Sequence, residues 1–147
     1  MGKAFAAAPL LLLPVAAYNI LAAILGGFAG VSVNFALGEP RFELATASGG
    51  EWPVSLADLM VAAALIVMFV ELIKSTPNRR VALVNHILSI ALFIGCLAEL
   101  LFVTACATST FFLITLMVLL DVLAGFILGM ATRGPEREPA PKPKAKN

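Results

Sequence analysis

Of the chain's 147 residues, 61% are hydrophobic and 13% charged, and the mean hydropathy of +0.98 excludes a water-soluble domain of ordinary surface. The formal net charge of +1 excludes a strongly basic protein, and the short basic clusters are explained by topology, so nucleic acid is not expected as a partner. Four apolar runs, at about 8–33, 56–73, 81–103 and 109–131, each suffice for a hydrocarbon core about 30 Å thick, which takes roughly 20 helical residues. Lipid offers the backbone no hydrogen-bond partners, so these runs should be α-helices. The expected fold is an all-α membrane protein. Four transmembrane helices form an up-down bundle over residues 1–132, with a short periplasmic β-hairpin between helices 1 and 2 and a disordered cytoplasmic tail over 133–147.

The first run follows Lys3 and resembles a signal peptide in layout, but its apolar stretch continues far beyond an h-region, so retention is expected. Gly2 is followed by Lys3-Ala4-Phe5-Ala6, without the Ser or Thr of a myristoylation signal. Pro9 and Pro14 each remove a backbone bond and are expected to kink the helix, whose start then lies along the inner interface. Asn19, Ala23, Gly26 and Gly30 follow at spacings of four, three and four, one helical face with small residues for close backbone approach.

Next comes "GEPRFELATASGGEWPVS". Phe42 and Leu44 alternate with Glu43 and Ala45, Ser48-Gly49-Gly50 supplies a turn, and Trp52-Pro53-Val54 follow, which reads as a hairpin over the helix ends. Trp52, the sole tryptophan, is placed as an interfacial anchor; docking of an outer partner is the alternative use of the hairpin. Ser55-x-x-Asp58 is a capping box for the second helix.

The remaining spans carry polar residues. Glu71 lies near the inner end of the second, with Lys74 one turn on and His86 of the third at a similar depth, so a Glu71–His86 contact is expected beside a simpler Glu71–Lys74 pair. Asn85, Ser89, Cys96 and Glu99 share one face of the third span. Cys96 and Cys106 are too few and too far apart for a disulfide framework and read as free, packed thiols. In the fourth span Asp121 lies near the midplane and lines up with Gly125 and Gly129, a G-x-x-x-G pair. Depth-matching two antiparallel spans pairs Asp121 with Asn19. A charged Asp at a span centre costs about 2.5–3.5 kcal/mol, whereas a neutral acid costs less and donates to Asn19.

Two uses of these groups stand side by side. Interhelical hydrogen bonds, at about 0.6–2 kcal/mol each, lock a bundle. Alternatively Glu99, Asp121, His86 and Glu71 mark successive depths of a proton relay. No Cys-x-x-Cys, His-Glu-x-x-His, Walker A or nucleophile-elbow motif occurs. A lone histidine offers at most one axial ligand to a haem or chlorophyll-type pigment. No enzyme activity, cofactor or metal is expected.

All Lys and Arg except Arg41 fall at the N-terminus, in "KSTPNRR" or in the tail, which puts both termini in the cytoplasm. The block 107–126, "ATSTFFLITLMVLLDVLAGF", with "SGGEW" and "LADLMVAAALIVMFVELIKST", resembles a family of small, uncharacterised four-helix bacterial inner-membrane proteins. The resemblance implies a multi-pass protein of the inner (plasma) membrane and carries no activity. The expected role is a small accessory, assembly or regulatory subunit, with the lipid bilayer and another membrane protein or a second copy as partners. The alternative is a small transporter or proton-conducting element using Asp121, Glu99 and His86.

Overall fold

The computed structural model describes residues 8–28, 32–74 and 79–131; Gly30 and the 133–147 tail lie outside them. The chain is mostly helical, with one small two-stranded sheet. α1, Leu12–Ala22, runs on into a π-helical turn, Ala23–Phe28; α2 is Val33–Gly38. The antiparallel strands β1, Pro40–Ala45, and β2, Glu51–Ser55, follow. Then come α3, Leu56–Ile73, α4, Arg79–Phe102, a 3-10 turn at Thr104–Cys106, and α5, Ser109–Ala131. Three helices are long and apolar enough to cross a membrane, while the first apolar helix, Leu12–Gly26, is shorter.

The first run therefore differs from a continuous helix over 8–33, and its own residues explain the difference. Pro9 precedes α1, and Pro14 falls in its first turn, where an amide would lack an intrahelical partner anyway; there a proline starts a helix instead of kinking it. At the other end Gly26 and Gly27 have poor helix propensity, and the backbone widens to π geometry before α2. A Cβ on Gly26 would lie 3.3 Å from Val33 Cγ2, so this glycine allows α2 to fold against the end of the first run.

The hairpin follows the alternation in its sequence. Leu44 pairs with Trp52 and Phe42 with Val54, with a bulge between Pro40 and Phe42. Thr46 closes the turn by bonding Gly50 through backbone and hydroxyl, and Gly49 adopts φ +83°, a conformation that favours glycine. β2 leads directly into α3 through the expected capping box: Ser55 Oγ accepts from the Asp58 amide at 3.2 Å, and Asp58 Oδ2 accepts from the Ser55 amide at 2.9 Å.

α3 runs away from the hairpin, α4 returns and α5 descends again, so the α4–α5 turn shares the hairpin end. α5 packs against both α3 and α4 and is the most buried of the three. The centre contains Leu11, Tyr18, Phe111, Ile114 and Val118, all fully buried. The Tyr18 and Phe111 rings sit 4.7 Å apart at 37°. Among apolar surroundings such packing acts through dispersion contacts. Direction and register between helices then fall to the polar side chains.

Candidate functional site

The polar side chains between the helices form three layers. At the end away from the hairpin the layer is centred on Glu71, near the end of α3. Pro9 has no N–H, so Leu10 carries the first free amide at the start of α1. That amide donates to Glu71 Oε2 at 2.8 Å, giving α1 an N-terminal cap from another helix. Glu71 Oε1 accepts from Asn85 Nδ2 of α4 at 2.9 Å and lies 3.5 Å from Lys74 Nζ, which also donates to the Ala8 carbonyl at 2.7 Å. One buried carboxyl thus joins α1, α3 and α4.

At the hairpin end α1 closes on the α4–α5 turn. Asn19 Nδ2 donates to Glu99 Oε2 at 2.8 Å, and the Cys106 thiol donates to Asn19 Oδ1 at 3.5 Å. Burial pushes the Cys106 thiol up from its ordinary pKa, and the Glu99 carboxyl adds to the shift, which keeps the donating S–H in place. Both cysteines are free and buried, as the sequence implies.

Beside this pair, the Tyr18 hydroxyl donates to the Ala105 carbonyl at 3.0 Å and meets Thr108 Oγ1 at 2.6 Å; Thr108 Oγ1 in turn accepts from the Phe111 amide at the start of α5. Tyr18→Phe keeps the ring contact with Phe111 and leaves the Ala105 carbonyl without this donor. It is expected to cost about 1 kcal/mol, read as a lower melting temperature in detergent, with Tyr18→Ala costing more.

The middle layer joins α4 and α5. The Ser89 hydroxyl donates to Asp121 Oδ2 at 2.7 Å, and both residues are buried. One turn from each, His86 of α4 lies flush against Gly125 of α5. A Cβ on Gly125 would lie 2.5 Å from His86 Nδ1 and 3.4 Å from its Cγ. His86 Nδ1 and Asn85 Oδ1 are buried without a hydrogen-bond partner among the described residues.

These contacts correct the pairings drawn from the sequence. Asn19 and Asp121 do not pair with each other: Asn19 takes Glu99 and Asp121 takes Ser89. The expected Glu71–His86 contact is replaced by Glu71–Asn85, one position earlier on α4, while the Glu71–Lys74 pair is present. In the G-x-x-x-G pair, Gly125 marks a close approach, but a Cβ on Gly129 would meet no atom of the described residues within 4 Å. Gly26, on the small-residue face of the first run, lies against Val33 of α2. Tyr18 and Thr108 are participants that reading by depth overlooks; the available signal was the only tyrosine, next to Asn19, and a threonine at the start of the last helix.

The relay residues fall into separated groups. Glu99 and Ser89 are ten positions apart on α4, about 15 Å along a helix, and the interval is filled by buried Cys96, Ile114, Met117 and Val118. His86, Ser89–Asp121 and Glu71–Asn85 lie closer together, within about two turns. Trp52 is exposed on β2 and forms part of an open, largely apolar groove of about 480 Å³ at the hairpin end. Among the described residues no three His, Cys, Asp or Glu side chains cluster with metal-binding geometry. Compared with known protein families, with curated proteins and with solved structures, the chain matches none of them.

Proposed function

We propose that the protein is a multi-pass integral protein of a bacterial inner membrane, whose work is to pack as a small accessory, assembly or regulatory subunit against a larger membrane complex or a second copy. In this reading α1 with its π-turn completes a four-helix bundle around the three longer spans. The basic residues put both termini in the cytoplasm, so the hairpin lies on the periplasmic side. The observation that supports the role is how the polar groups are used. Glu71, Asp121 and Glu99 each accept a hydrogen bond from another helix or its cap, whereas α3 and α4 present apolar faces outward, Ile66, Phe69, Ile94 and Leu101 among them. The interior is locked and the exterior is left for lipid and partners. Extraction in a mild detergent followed by native mass spectrometry should return an assembly heavier than one chain; a lone monomer would contradict the accessory role.

A second reading has one observation in its favour. His86, whose Nδ1 has no hydrogen-bond partner among the described residues, lies one turn from the Ser89–Asp121 pair, an arrangement that suits a proton-conducting element. Asp121→Asn separates the two. The amide oxygen still accepts from Ser89, so a packing role predicts stability within about 1 kcal/mol of the parent and unaltered proton leak in reconstituted vesicles. A parent-specific proton flux that the Asn variant abolishes would overturn the packing role in favour of transport.

A further inference from the structure

The hairpin has an apolar face that the described residues leave largely uncovered. Cross-strand partners share a face, so the pairs Leu44–Trp52 and Phe42–Val54 place these four side chains together. Glu43 and Glu51 project from the opposite side. Val54 is buried, but Phe42 and Leu44 are each 46% exposed and Trp52 56%. A two-stranded hairpin is marginal by itself in water, and this one extends an aromatic–aliphatic face into the surroundings.

That face continues into the groove. Trp52 and Val54 of the hairpin, Ala57, Val61 and Ala62 of α3 and Leu113 of α5 supply its apolar lining, with Asp58, Ser109 and Thr110 as the polar members. The helical part of the lining comes from the first two turns of α3 and α5, both long enough to cross a bilayer, and the first turns of a spanning helix lie at the edge of the hydrocarbon. The leaflet is therefore what reaches this surface. The groove is lined by ten residues, well short of the 20–30 a side that a stable protein interface takes.

We propose that this groove is a lipid subsite. It takes one acyl chain of a membrane phospholipid against Ala57 and Ala62, with Trp52 in its lining and the hairpin's apolar face lying in the interface. The proposal rests on the membrane reading above.

The single tryptophan makes it directly testable. The full-length protein in detergent micelles is titrated with phosphatidylcholine carrying brominated acyl chains, and Trp52 emission is followed. A bound chain gives at least twofold quenching that saturates near one lipid per protein. Ala62→Phe, which fills the groove from an exposed position, removes the saturable phase. Absence of quenching, or quenching that rises without saturation, overturns the subsite, and the parent titration decides this without the variant. Carbonate extraction of the parent from membranes is read separately: release defeats the membrane reading, whereas retention without saturable quenching defeats only the lipid subsite.

Discussion

Glu71→Ala lowers the stability of the bundle by about 3 kcal/mol, the lower end of the range for removing one partner from a buried, hydrogen-bonded charged group. The loss falls on three helices at once. The Leu10 amide, Asn85 Nδ2 and Lys74 Nζ all converge on this carboxyl, and alanine takes that shared acceptor away from all three. For a chain of this size the change corresponds to a fall in melting temperature of about 10 °C in detergent. Glu71→Gln falls between parent and Ala. Its amide has the same shape, but one of the two accepting oxygens becomes a donor and faces either Leu10 N–H or Asn85 Nδ2. A Gln variant as stable as the parent would mean that only the shape of Glu71 matters.

Gly125→Ala is the second large effect, and its sign depends on His86. The added methyl would sit 2.5 Å from Nδ1 and 3.2 Å from Cε1. Because Cγ is also close, bending the tip of the ring does not relieve the clash; the whole imidazole has to move. Overpacking of this kind costs about 1–3 kcal/mol. In a His86→Ala background the obstacle is gone and alanine's helix propensity is left, worth about 1 kcal/mol over glycine. The same substitution should then raise the melting temperature instead of lowering it. Destabilisation in both backgrounds would place the crowding elsewhere than His86. A Cβ on Gly129 would meet no atom of the described residues within 4 Å, which makes Gly129→Ala a comparison on the same helix.

The elements that local pattern determines were legible in the sequence. The Phe42–Leu44 alternation, the Ser48-Gly49-Gly50 turn and the Ser55-x-x-Asp58 box each act over a few residues, and each appears as a strand, a turn with Gly49 at positive φ, and a cap. The three longer apolar runs likewise become α3, α4 and α5 within two residues of the expected bounds. Pairing between helices was not legible, because it depends on where each helix starts. Pro9 and Pro14 delay α1 until Leu12, and Glu71 holds the Leu10 amide at its own level. From there only nine positions lead to Asn19, whereas fourteen separate Asn85 from Glu99 on α4; the long Glu71 and Glu99 side chains make up the difference. Asn19 consequently arrives at the level of Glu99 and not at that of Asp121. Periodicity also failed to choose between Asn85 and His86 as the partner of Glu71, since adjacent residues on a helix point about 100° apart. His86 turns to α5 because Gly125 leaves room for a ring there.

Specific polar pairs, each between two particular helices, hold this apolar chain in register. A double-mutant cycle on Asn19→Ala and Glu99→Ala, with unfolding followed in mixed micelles, measures one such pair directly. The expected coupling between Asn19 and Glu99 is about 0.6–2 kcal/mol, with additive effects for Asn19→Ala combined with Asp121→Ala. Additivity at Asn19–Glu99 together with coupling at Asn19–Asp121 would contradict it.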